Sequence, residues 1–252
     1  MTKKTTKLKL PTGPRIFIYD VETTDLAADR GHILCAAGKW FGEDTVFKWR
    51  IDSSPGYAAT PKSFRDDSGI VEGLTPYLEA ADCAVAYFGK RFDAPYITTR
   101  ALVHGMLPPA PYTIVDPWET AKRYLKLSNN RMATVADVLQ LDKRKTHCSR
   151  ETWALAQYGD RGSISKLLEY NVNDVLVLES VYKTLRPIIR AHPYVGAWQT
   201  SLPGSISAHR CPACGSSTSR SKGVRYTRTF EVQRRICCKC SHSFEGGRRK
   251  IS

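Results

Sequence analysis

The sequence predicts an α/β body, a mixed sheet flanked by helices, followed by a small C-terminal module built on cysteines. Three observations carry that prediction. Residues 15–50 read as three consecutive strands, later residues alternate short apolar runs with stretches of helical period, and five of the eight cysteines fall between Cys211 and Cys240.

Taken in order, Ile16 to Glu22 is an apolar, β-prone run and reads as a central strand. His32 to Trp40 and Thr45 to Arg50 continue a meander, with Gly42-Glu43-Asp44 as the last turn. Beyond a loop containing Pro and Ser, Ile70 to Ala81 has helical period and Ala84 to Tyr87 gives a fourth strand. Ala94 to His104 is helical, Tyr112 to Val115 is a fifth short strand, and Trp118 to Leu127 is a basic amphipathic helix. Short helices at Met132 to Leu139 and Glu151 to Tyr158 precede a long helix, Ile164 to Leu185. Its apolar residues Leu167, Leu168, Val175, Leu178, Val181 and Leu185 recur near the helical period. Pro187 and Pro193 mark the end of the body, and Thr200 to Ser205 has the composition of a linker. The expected organisation is a basic arm over 1–14, a body over 15–199, a linker over 200–208 and a cysteine module over 209–252.

A chain of 252 residues can bury one full core and keep length for a small module. Met1-Thr2-Lys3-Lys4 is polar with no apolar run behind it, and no stretch approaches the roughly 18 apolar residues of a spanning helix, so a cytoplasmic protein is expected. The net charge of +14 is unevenly placed. Lys3, Lys4, Lys7 and Lys9 precede residue 11, and from Pro203 onward eleven Lys or Arg face only Glu231 and Glu245, which leaves the body nearly neutral. Such clustering is the electrostatic signature of binding to a phosphate backbone, although a short basic arm is equally a solubilising segment.

Four acids stand out. Asp20 and Glu22 are two apart on the first strand, so their side chains leave it on the same side. Asp93 ends Phe92-Asp93 just after the fourth strand; alone it reads equally as a helix N-cap before Ala94-Pro95. Asp174 lies on the long helix with Tyr170 four residues earlier on the same face, where a phenol can orient an attacking water. A cage of carboxylates is what phosphodiester cleavage with two divalent cations about 4 Å apart requires of a protein.

Asp20-Val21-Glu22-Thr23-Thr24, Phe92-Asp93 and Tyr170-Asn171-Val172-Asn173-Asp174 resemble the three exonuclease motifs of the DEDDy group within the ribonuclease H-like superfamily. The resemblance covers most of residues 15–190 and extends to Ile114-Val115-Asp116-Pro117-Trp118, Asn130 to Asp137 and Lys145-Thr146. Proofreading domains of family-B DNA polymerases and stand-alone bacterial and phage exonucleases are similar in this order. The resemblance implies a ribonuclease H-like sheet and two Mg²⁺ or Mn²⁺ ions. It also implies roles: Asp20 bridging both ions, Glu22 and Asp174 completing one site, Asp93 supporting the second, and Tyr170 orienting the water. One departure is Phe88, which stands where such enzymes usually carry Asn just before the Gly; it is read either as a base-stacking ring or, preferably, as core packing next to Phe92. Phe88, Lys90, Arg91, Lys143 and Lys145 are the expected contacts to nucleic acid from the body, with a solvated loop as the alternative for Lys143 to Lys145.

The cysteine module has two CxxC pairs, Cys211/Cys214 and Cys237/Cys240, with 22 residues between them. In an apparently intracellular chain, paired spacing favours one tetrahedral zinc over disulfides, with Cys238 as the spare thiol and His209 or His242 as less favoured ligands. Val224 to Arg228 and Val232 to Ile236 read as a hairpin, so the module looks like a zinc ribbon whose metal makes up for a small core. Arg225, Arg228, Arg234, Arg235 and Lys239 make it a candidate grip for nucleic acid.

The expected function is a metal-dependent 3′-5′ exonuclease acting on DNA with a free 3′ end, in company with a replication or repair protein. An RNA-directed enzyme or an endonuclease with the same site, and a vestigial nuclease that only binds through its ribbon, are the alternatives.

Overall fold

The computed structural model describes residues 15–54, 57, 66–189, 192, 210–227 and 229–250. They belong to two compact units, one over Ile16–His192 and one that holds the C-terminal strands.

In the first unit, β1 (Ile16–Thr23), β2 (Ile33–Trp40) and β3 (Val46–Arg50) form the expected meander, and β4 (Cys83–Val85) and β5 (Ile114–Val115) extend the sheet on the other side of β1. The order is β3-β2-β1-β4-β5, antiparallel across the meander and parallel from β1 to β5. The helices are α1 (Ser68–Ala80), α2 (Asp93–Val103), α3 (Pro117–Tyr124), α4 (Met132–Val138), α5 (Arg150–Gln157) and α6 (Arg161–Leu185). Some predicted elements are shorter than expected, among them the fifth strand, which is only Ile114–Val115. The fourth strand stops at Val85 because Tyr87 to Lys90 turn, and the basic helix stops at Tyr124.

The period of two in β1 divides the core. Phe17, Tyr19 and Val21 pack with Leu74 and Leu78 of α1 and Ile97 of α2. Ile16 and Ile18 pack with Val175, Leu178 and Val181 of α6. Asp20 and Glu22 share the parity of Ile16 and Ile18, so the strand delivers both acids to the side where α6 crosses it. A glycine sits inside β2 for a steric reason: a Cβ on Gly38 would meet the Phe17 ring at 2.3 Å. Arg100, Asp67 and His104 form a buried polar cluster that ties the start of α1 to α2, with Asp67 also accepting the Ile33 N–H at 2.7 Å.

The C-terminal unit is a three-stranded antiparallel sheet of β6 (Ser219–Tyr226), β7 (Phe230–Cys237) and β8 (Ser243–Lys250) in that order. The hairpin was expected; β8 was not, because Ser-Phe-Glu-Gly-Gly-Arg-Arg-Lys carries two glycines and a cationic run where a strand would be read from β-branched residues. The basic arm, the linker, His209 and Arg228 lie outside the described residues. No helix among the described residues is long and apolar enough to cross a membrane.

Candidate metal and nucleic-acid site

β1 and α6 assemble the acids. Asp20, Glu22 and Asp174 each present a carboxylate oxygen within 4.8 Å of the others. Asn171, one turn before Asp174 on α6, donates its Nδ2–H to Asp20 Oδ2 at 2.7 Å and fixes that carboxylate. Asp93 is outside this group of three and opens α2. Because β4 pairs only with Ile16 to Ile18, the β1 edge is open beyond that point, and Asp93 Oδ1 takes the ladder's place by accepting the Val21 N–H at 3.2 Å. That sets Asp93 beside Asp20 along the strand.

So many buried carboxylates raise one another's proton affinity. Burial, then Glu22, Asp93 and Asp174, hold Asp20 well above the usual carboxylate range. Burial and the charge of Asp174 push Glu22 up to about 8, and burial brings Asp93 to about 7. Asp174 is raised by burial as well, opposed by Lys145, whose ammonium lies 2.5 Å from Asp174 Oδ2. The same ammonium sits 5.2 Å from the centre of the Tyr170 ring, and burial with the adjacent Asp174 pushes the Tyr170 hydroxyl up to about 12.

The acids suit hard divalent cations. All their donors are oxygen, their charges are mutually destabilising without a cation, and Asp174 Oδ1 is buried with no hydrogen-bond partner. In the C-terminal unit, Cys211, Cys214, Cys237 and Cys240 converge, with sulfur pairs 3.6 Å (Cys211 to Cys240) and 3.5 Å (Cys214 to Cys237) apart. Four thiolates about 2.3 Å from one zinc ion fit that cluster. Burial raises the Cys237 thiol, but the N–H groups of Cys240 and Lys239 together with the Cys214 and Cys240 side chains more than offset it and bring it down to about 7, so a ligand-competent thiolate is within reach of neutral pH. Cys238 is exposed, as expected of the spare thiol.

The remaining expected contacts divide. Phe88 is 36% exposed rather than buried in the core: it adopts a left-handed backbone, φ 63°, and its ring meets Trp118 edge to face at 4.8 Å. Lys145 is not a solvated loop residue, being held by Asp174, whereas Lys143 is exposed. Lys90 pairs with Glu119 at 2.6 Å, and Arg91 lies over the Trp118 ring. On the C-terminal sheet, Arg225 pairs with Glu245, Arg235 donates to Ser219, Arg234 is half-buried and Lys239 is exposed. Sequence reasoning missed Asp116, buried between β5 and α3, which accepts from the backbone N–H groups of Phe88 (2.9 Å) and Trp118 (3.0 Å). The signal for half of that role was present, since Asp-Pro at a helix start reads as an N-cap.

No curated protein matches the sequence. Among solved structures, the family B DNA polymerase of the hyperthermophilic archaeon Pyrobaculum calidifontis superposes with a TM-score of 0.53 and 16% identity over 72% of this chain. The match spans about a quarter of that polymerase, 26% of its length. Brucella melitensis NrnC, solved with pGG bound, aligns at a TM-score of 0.46 and 20% identity, covering 69% of this chain and 73% of NrnC. The polymerase likeness supports the sheet-and-helix architecture described above. Residues 17–186, most of the chain and running from within β1 past the end of α6, match the model of the RNase H superfamily, and the chain belongs to that superfamily.

Proposed function

We propose that this protein is a metal-dependent 3′-5′ exonuclease of the DEDDy type that hydrolyses phosphodiester bonds at DNA ends, with its catalytic domain over 15–199 and a zinc ribbon over 209–252. The observation that carries the reading is the convergence of Asp20, Glu22 and Asp174 within 4.8 Å, with Tyr170 on the same helix as Asp174. Mg²⁺ or Mn²⁺ bound by these acids would supply the charge that makes water nucleophilic at neutral pH and steadies the leaving oxygen.

The chain's own residues do the rest. Asp20, held by Asn171, and Glu22 and Asp174 would provide the cation ligands, and Asp93, at the open edge of β1, would support a second ion. Tyr170 orients the water by hydrogen bonding, since its raised proton affinity keeps it a donor throughout the neutral range. Lys145, which pairs with Asp174 Oδ2 beside the cluster, would be placed to meet a substrate phosphate. A zinc ion held by Cys211, Cys214, Cys237 and Cys240 would be structural, and the ribbon's Arg and Lys side chains would hold the strand.

The test is a time course on a 5′-labelled single-stranded DNA oligonucleotide with Mn²⁺, beside circular DNA and RNA arms. A descending ladder from the linear strand, an intact circle, and loss of cleavage in Asp20→Ala and Asp174→Ala support the reading. Full activity of Asp20→Ala would remove the site assignment, and cutting of the circle would make the enzyme an endonuclease.

A further inference from the structure

Phe88 is held in a conformation that few aromatic residues adopt. A left-handed backbone is unfavourable for a residue with a Cβ, and strain of that kind persists only where surrounding structure enforces it. Here the enforcement is visible. Asp116 Oδ1 accepts the Phe88 N–H and the Trp118 N–H, so a single buried carboxylate fixes both backbones. The next residue is locked as well: a Cβ on Gly89 would meet the Ala86 Cβ at 2.2 Å. The Tyr87 hydroxyl donates to the Asn130 carbonyl at 2.6 Å, which ties this turn to the chain entering α4.

The result is an exposed ring buttressed from one side. Trp118 meets Phe88 edge to face, and Trp118 is itself overlaid by Lys122 Nζ at 4.8 Å and Arg91 at 5.5 Å from its centre. Phe88 lines a cavity of about 790 Å³ whose lining also includes Asp20 of the carboxylate cluster, Lys145, Trp118, Lys122 and Asn130. That volume suits a nucleotide-sized ligand. A planar apolar platform, flanking cations and Asp20, one carboxylate of the metal-type cluster, in one cavity match the three parts of a nucleotide: base, phosphate and scissile bond. Core packing explains none of this, since a core side chain requires neither exposure nor a left-handed backbone.

We infer that Phe88 is a base-stacking platform, buttressed by Trp118 and preset by Asp116, that seats the nucleobase of a nucleotide next to the bond to be cut. This rests on the exonuclease reading for the position of the cut, but the stacking itself does not require cleavage. Phe88 is the group that touches substrate; Trp118 and Asp116 are positioning residues.

The probe is a single-stranded DNA oligonucleotide carrying 2-aminopurine at each of its last three positions in turn, with Ca²⁺ replacing Mg²⁺ because its irregular coordination disfavours the reaction geometry. Stacking on an aromatic ring quenches this base. The wild type is expected to quench it at one of the three positions. Phe88→Ala and Phe88→Asn lose that quenching and bind the strand about 5- to 100-fold more weakly, the loss of one base–aromatic stack, while Phe88→Tyr retains both. Asn tolerates the left-handed region, so Phe88→Asn is expected to melt no lower than the wild type. No quenching by the wild type, quenching that survives in Phe88→Ala, or a Phe88→Asn chain that melts well below the wild type would each overturn the inference. Cleavage with Mn²⁺ but no quenching sinks the platform and spares the exonuclease; Phe88-dependent quenching without cleavage does the reverse.

Discussion

Replacing Glu22 by Gln should make the metal-free protein more stable and, at the same time, unable to hold its cation. In an unfolded chain Glu22 ionises near its ordinary 4.5, whereas burial and Asp174 hold it at about 8 in the fold. Between those values the folded state keeps a proton that the unfolded state has released. Stability therefore falls as pH rises through this window, by about 1.4 kcal/mol per pH unit for one such group. From pH 5.5 to 7.5 the wild type in chelator should lose roughly 2–3 kcal/mol on this account, which in a domain of this size is a melting-temperature change of about 5–10 °C. Glu22→Gln abolishes that share of the slope. The two proteins should melt together near pH 4.5 and diverge above it, with the variant higher. The far-UV circular dichroism of the helices reads the first unit specifically, because every helix among the described residues lies within Ile16–His192. Adding Mn²⁺ at pH 7.5 to about a hundred times its dissociation constant should return about 2.7 kcal/mol to the wild type and little to the variant. Parallel pH profiles, or a wild type that outlasts the variant at pH 7.5 in chelator, would refute the claim that the site is electrostatically strained without a cation.

Other consequences are open to direct measurement. Lys145→Met removes the cation that already occupies Asp174 Oδ2, so Mn²⁺ should bind about 3- to 10-fold more tightly by calorimetry; unchanged or weaker binding would show that the ammonium does not compete. Elemental analysis should find one zinc per chain, lost in Cys211→Ser together with the three-stranded sheet, and a wild type without zinc would remove the ribbon. Gly89→Ala has no room for its methyl group and should cost about 1–3 kcal/mol in denaturant unfolding; a neutral result would mean that the Tyr87–Lys90 turn is not packed as described.

Much of the body was legible because its signals are local. The period of two in Ile16 to Glu22 gave both the strand and the shared face of Asp20 and Glu22, and helical period placed Tyr170 and Asp174 on one helix. What escaped depends on groups distant in sequence. Nothing near Lys145 shows that its ammonium will end on Asp174, 29 residues away. From sequence the Phe88 ring reads as core because an aromatic beside Phe92 usually packs there; in the fold it is exposed on a left-handed backbone whose N–H donates to Asp116, 28 residues on. Asn171 lay inside the quoted motif, yet its bond to Asp20 follows only once α6 crosses β1. The third strand of the C-terminal sheet was lost for the opposite reason: Ser243–Lys250 is held by pairing with β7 rather than by its own propensity.

The most direct measurement is anomalous diffraction from crystals soaked in Mn²⁺. Two peaks about 4 Å apart, ligated by Asp20, Glu22 and Asp174 and absent from Asp174→Ala crystals, are the expected result. Full Mn²⁺ occupancy elsewhere in the crystal with no peak at these carboxylates would contradict the account.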